Sequence, residues 1–165
     1  MKTIVTLILA AVCLSAFAAD EPKKAFNAGE FQGDIFGAVA TKDLDTARGH
    51  YGFGVSYYLP WIESLGVGVR TSFDELGGHT FENITPRVLW RVPVGGKHAL
   101  YAFAQATRTF HDDTGWSTAA GPGYEYRTFQ HVGFYGEISM LKDIAGPNRS
   151  TDTFGVGEVG LRLTW

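Results

Sequence analysis

The sequence contains a single cysteine, Cys13, and it falls in a stretch that reads as dispensable. Lys2 supplies a short positive start, Ile4 to Leu14 an apolar run, and Ala16-Phe17-Ala18 a small-x-small cleavage pattern, so residues 1–18 read as a signal peptide. Cleavage near Ala18/Ala19 leaves no cysteine, which excludes disulfides from an exported chain. Cys13 follows Val12 rather than a small residue, which argues against a lipid-anchored form. An excess of one charge is missing too: the net charge is −3. Loss of Lys2 makes it about −4, too mild to point to nucleic acid. No later segment stays apolar over the length of a membrane helix, so any membrane span must be built from strands.

What remains is enough for one domain. It is rich in strand formers, with 21 glycines in the sequence and 14% aromatic residues, and together these indicate an all-β protein. A short segment at 19–28 leads into eight stretches of two-residue alternation, near 29–40, 49–59, 65–74, 81–92, 98–110, 116–127, 132–142 and 153–165. In the second, Tyr51, Phe53, Val55, Tyr57 and Leu59 oppose His50, Gly52, Gly54, Ser56 and Tyr58. Pro86 is out of place in the fourth unless a bulge or an open ladder site takes it. The fifth is ambiguous, because Leu100-Ala102-Ala104-Ala106 and Tyr101-Phe103-Gln105-Thr107 could each face outward. Connections alternate between compact (PWIES, PVGGK, TFQH) and charged (TKDLDTARG, DELGGHT, HDDTG, KDIAGPNRSTD). That is the pattern of an eight-stranded antiparallel up-and-down transmembrane barrel with periplasmic turns and extracellular loops.

A water-soluble barrel would show the same alternation with its apolar face inside. Three features favour the inverted arrangement. The polar face is rich in glycine, which suits a narrow interior. Its charges nearly cancel: Glu30, Asp34, Asp74, Glu125, Glu137 and Glu158 stand against Arg70, Arg87, Arg91, Arg127 and Arg162. Every base in that set is arginine, the side chain suited to buried pairing, while Lys23, Lys24, Lys42, Lys97 and Lys142 are assigned to tails, turns or loops. Aromatics gather at segment ends, with Trp61, Trp90, Tyr101, Phe134 and Trp165 at one rim and Phe73, Phe81, Trp116 and Phe154 at the other. On this reading Arg87 and Arg91 meet carboxylates such as Glu137, Glu125 or Glu158 across a filled lumen.

The final stretch EVGLRLTW resembles the C-terminal β-signal of bacterial outer-membrane proteins, with Glu158, Gly160, Leu163 and the terminal aromatic Trp165 in the matching places. In that family the last residue is more often phenylalanine. GPGYEYRTFQHVGFYGEISM resembles a strand-turn-strand stretch of the small OmpA/OmpX-like barrels. The resemblance implies an outer-membrane location, contact with outer-membrane lipids and lipopolysaccharide, recognition of the last strand by the outer-membrane assembly machinery, and a monomer. It also implies that the periplasmic domain of full-length OmpA has no counterpart here.

Some barrels of this size act on lipid A, and such a deacylase needs serine, histidine and an acid together. His50, His79, His98, His111 and His131 are scattered, and His50 with Ser56 is the nearest approach to a pair. An acyltransferase-like site would have to draw on His111 and Asp112; His111-Asp112-Asp113 is also the best metal candidate, and a solvated loop tip explains it as well. No cofactor is expected. The sequence therefore favours a non-enzymatic envelope barrel, with a lipid-A-modifying enzyme or a small porin as the alternatives.

Overall fold

Two-residue alternation over about ten residues places one row of side chains on each face of a strand, and a chain of such strands closes when no edge can be left in lipid. The computed structural model describes residues 26–41, 48–76, 79–110, 114–146 and 151–165; for 40, 41, 48, 74–76 and 79–82 it describes the backbone alone. The signal-peptide expectation and the acidic tip His111-Asp112-Asp113 lie outside the described residues. Eight strands follow in order: β1 (Phe31–Thr41), β2 (Arg48–Tyr58), β3 (Leu65–Leu76), β4 (His79–Pro93), β5 (His98–Thr109), β6 (Gly115–Phe129), β7 (Val132–Ala145) and β8 (Thr153–Thr164). Each pairs antiparallel with its neighbour, and β8 returns to β1 to close the barrel.

The compact connections share one end with the chain's last residue. Leu59 N–H donates to Leu65 O at 2.9 Å in the first, and Val94 N–H donates to His98 O at 2.9 Å in the second. The third turns through Gln130 and His131 alone. Gly29 precedes β1 with a φ of +72°, a left-handed bend that glycine adopts without strain.

Following the ladder from Phe31 through Tyr57, Val67, Val88, Ala104, Ala120, Met140 and Gly155 returns to β1 at Thr41, ten residues farther along. That stagger tilts the strands by about 40° and sets an interior that side chains can fill. Pro86 sits at an open ladder site: β4–β5 pairing passes from Ile84↔Arg108 to Arg87↔Gln105 with no shift of register. Pro122 sits at a matching gap, where β6–β7 pairing passes from Ala120↔Met140 to Gly123↔Glu137. Both prolines face outward, and their missing N–H groups leave no ladder partner misaligned.

The apolar rows point out. Phe53, Val55, Val67, Val69, Val88, Ile138 and Val159 are exposed around the barrel's waist, while the arginines and carboxylates are buried. The fifth segment resolves with Tyr101 and Phe103 buried in the lumen and Leu100, Ala102 and Ala104 outside. Tyr101 is therefore not part of a rim. Phe154 likewise belongs to the inner row with Val156 and Glu158. Lys142 is not in a loop, because β7 continues to Ala145 and carries it outward.

Candidate functional site

The lumen holds the polar chemistry, arranged in tiers that follow from which inner-row residue each strand brings to a given height. At the end bearing Trp165, Glu30 accepts from Arg91 Nη1 at 2.8 Å, from Arg127 Nη1 at 2.8 Å and from Gln32 Nε2 at 2.5 Å. A second contact from Arg127 Nη2 completes a paired approach to the same carboxylate. Glu125 joins two arginines, taking Arg127 Nε at 2.8 Å and Arg162 Nη1 at 2.7 Å. Phe26 closes this tier from below, with the Arg127 and Arg91 guanidinium carbons 4.2 and 5.0 Å from its ring centre. Tyr58 lies 3.6 Å from the Arg91 guanidinium on the other side.

The middle tier turns on Arg70 and Glu137. Arg70 meets Asp34 at 2.6 Å, Glu158 at 2.6 Å and Glu137 at 3.4 Å. Glu137 also accepts from Arg87 Nη2 at 2.8 Å and from the Tyr101 hydroxyl at 2.8 Å. Tyr135 donates to Glu158 at 2.8 Å or Asp34 at 3.2 Å, and Arg162 Nη2, 3.9 Å from Glu137, ties the two tiers together. Gly54 is required under Arg70, where an added Cβ would lie 2.3 Å from the arginine Cγ. Towards the loop end the lining becomes neutral: Asn83 bridges Ser72 and Thr109 at 3.3 and 2.7 Å, and Thr85 meets Thr107 at 3.0 Å.

Among the described side chains, five arginines thus face five carboxylates with hardly any exposure. Such charges persist out of water only when each is paired and hydrogen-bonded, and here the pairing spans the cross-section. Arg87 meets Glu137, but Arg91 meets Glu30 rather than Glu137, Glu125 or Glu158. Asp74 stands on the inner row opposite His50, with its side chain outside those described. Tyr101, Tyr135, Gln32 and Phe26 complete the network and were not singled out by charge; their inner-row parity was the available signal for the two tyrosines.

The end motif is bound into the wall. Glu158 pairs with Arg70, and at Gly160 an added Cβ would lie 2.5 Å from Ile35 O and 2.6 Å from the Tyr135 ring. Leu163 faces outward, and Trp165 exchanges backbone hydrogen bonds of 3.0 Å with Phe31. Trp61, Trp90 and Trp165 are exposed at the terminal end and Trp116 at the loop end. His50 packs edge-on to Phe36 at 6.2 Å and stands six residues from Ser56, about 20 Å along an extended strand. The two form no catalytic pair. Among the described residues no three His, Cys, Asp or Glu side chains are placed to hold a metal ion.

A family model, the outer membrane protein beta-barrel domain, matches residues 4–162. The chain belongs to this family. It is accordingly a protein of the bacterial outer membrane, and the exposed apolar rows are the lipid-facing surface of an outer-membrane barrel. Its fold is similar to Neisserial surface protein A (TM-score 0.63, 13% identity, 81% of this chain and 95% of that one). The N-terminal barrel domain of Pseudomonas aeruginosa OprF is similar at a TM-score of 0.60 and 12% identity, with 84% of this chain and 98% of that one covered. A transmembrane barrel designed de novo matches at 0.61 and 11% identity, over 88% of this chain and 100% of that one. No curated protein matches the chain by sequence.

Proposed function

We propose that this outer-membrane barrel is a non-enzymatic envelope protein, a monomer whose lumen is sealed by its own charges. The observation that carries the reading is the Glu137 cluster, where Arg70, Arg87 and Tyr101 converge from three different strands on one buried carboxylate. A side-chain plug of this kind needs no substrate, and charges paired across the lumen oppose the passage of ions. The last residue and the compact turns face the periplasm, the charged connections face outward, and β8 presents the strand read by the assembly machinery. A surface-contact role would belong to the connections at 42–47, 77–78, 111–113 and 147–150, outside the described residues.

Purified protein in planar bilayers gives no steady conductance on this reading. A large, stable conductance from the unaltered chain would overturn the sealed lumen and favour a small porin. Lipid A incubated with the detergent-solubilised protein keeps its mass; a gain or loss of an acyl chain would replace the structural reading with an enzymatic one.

A further inference from the structure

Lipid-facing strands exclude charge, so the exceptions are informative. Among the outward-facing side chains described in the strands, only Arg108 and Lys142 are cationic. Arg108 lies at the loop end of β5 opposite Trp116, and its guanidinium carbon is 5.2 Å from the Trp116 ring and 6.0 Å from that of Phe110. Lys142 lies at the loop end of β7, exposed, opposite Thr118, which is in turn opposite Ala106. The ladder climbs towards the loop end from β5 to β7, and Arg108 is two residues above Ala106. The tilt therefore brings the two cations to nearly the same height, with Cα atoms about 12 Å apart: two strand spacings across and two residues along.

We propose that Arg108, Trp116 and Lys142 form an outer-face seat for a bis-phosphorylated glycolipid of the outer leaflet. The spacing is too wide for one phosphate to engage both cations, and it suits two phosphates carried on a rigid sugar backbone. Each cation supplies a charge-assisted contact at headgroup depth, and Trp116, on the strand between them, offers an aromatic face to the sugar. None of the five lumenal arginines can serve, because each is buried against carboxylates. The inference rests on the proposed orientation, with the loop end outermost, for the claim that the lipid belongs to the outer leaflet.

The test is native mass spectrometry of the full folded protein in detergent, titrated with bis-phosphorylated lipid A, with enzymatically dephosphorylated lipid A, with phosphatidylglycerol and with inorganic phosphate. The expected result is retention of bis-phosphorylated lipid A, weakened about 5-fold by Arg108→Gln or Lys142→Gln and about 25-fold by the double change. Lys97→Gln, at the opposite end, leaves retention unchanged, and the other three probes bind no better than the double variant binds lipid A. Equal retention by the unaltered and doubly changed proteins overturns the seat. Preference for phosphatidylglycerol replaces the glycolipid with an ordinary phospholipid, and binding of inorganic phosphate alone reduces the patch to a generic anion site. Folding of each variant is checked by migration of unboiled samples. Orientation is read separately by labelling Thr114→Cys and Gly96→Cys in intact cells, so an inverted barrel is distinguished from a missing lipid site.

Discussion

Glu137 and Arg87 form an unequal pair, and the inequality can be measured. Glu137 has Arg70, Arg87 and Tyr101 as donors, whereas Glu137 is the carboxylate that Arg87 contacts. Glu137→Gln therefore leaves a buried guanidinium without a counter-charge and should cost about 3–5 kcal/mol. Arg87→Met leaves the carboxylate still held by Arg70 and the tyrosine and should cost under about 2 kcal/mol. The double variant should recover part of the Glu137→Gln loss. Urea-dependent unfolding from lipid vesicles reads all three, and equal losses from the two single changes would sink the hub assignment. Period-two alternation was enough to put both residues on the inner row. Their partners were not legible, because a pairing across the lumen depends on the stagger at closure and on the β6–β7 register shifts at Trp116/Ser117 and Arg127/Phe129. Arg91 shows this directly: its partner Glu30 precedes β1, three strands away from β4, and the two meet only because the sheet curls into a barrel.

At the level of strands, each face imposes its own rule. Val55 and Val69 are paired across β2–β3 and point into lipid at the waist, so arginine at either should cost about 2–4 kcal/mol in a bilayer. If vesicle stability is unchanged by Val55→Arg, the lipid-facing row has been assigned to the wrong side. Inside, the limit is space. At Gly121 an added Cβ would lie 1.9 Å from Ile138 O, beside the gap that accommodates Pro122, so Gly121→Ala must push β6 and β7 apart and should cost about 1–3 kcal/mol. Gly37 faces lipid with nothing within 4 Å of its added Cβ, and Gly37→Ala should change stability by less than about 0.5 kcal/mol. Strand count and most boundaries were readable because turn chemistry punctuates every segment. Which way the fifth strand faces was not, since both its rows are apolar: Tyr101 and Phe103 face inward to meet Glu137 and the Arg87 guanidinium, a reason that lies on β7 and β4 rather than on β5.

For the whole molecule the decisive event is closure at the β1–β8 seam. Every other strand pair joins neighbours in sequence, whereas this pair joins the two ends of the barrel and closes the longest loop in the chain. Trp165 holds the seam in two ways: reciprocal 3.0 Å backbone hydrogen bonds with Phe31, and a ring lying over Gly33, where an added Cβ would be 3.1 Å from the indole. An aromatic ring over a glycine on the neighbouring strand shields backbone that would otherwise face lipid. Folded, closed barrel should migrate differently from boiled chain in detergent gels, because the ladder resists detergent until heated, and the fraction in that form measures closure. In vesicles free of assembly factors, Trp165→Phe should close nearly as well as the unaltered chain, while Trp165→Ala should close more slowly and to a smaller extent. If Trp165→Ala closes normally in vesicles and fails only in cells, the ring contributes nothing to the seam, and its role reduces to recognition by the assembly machinery.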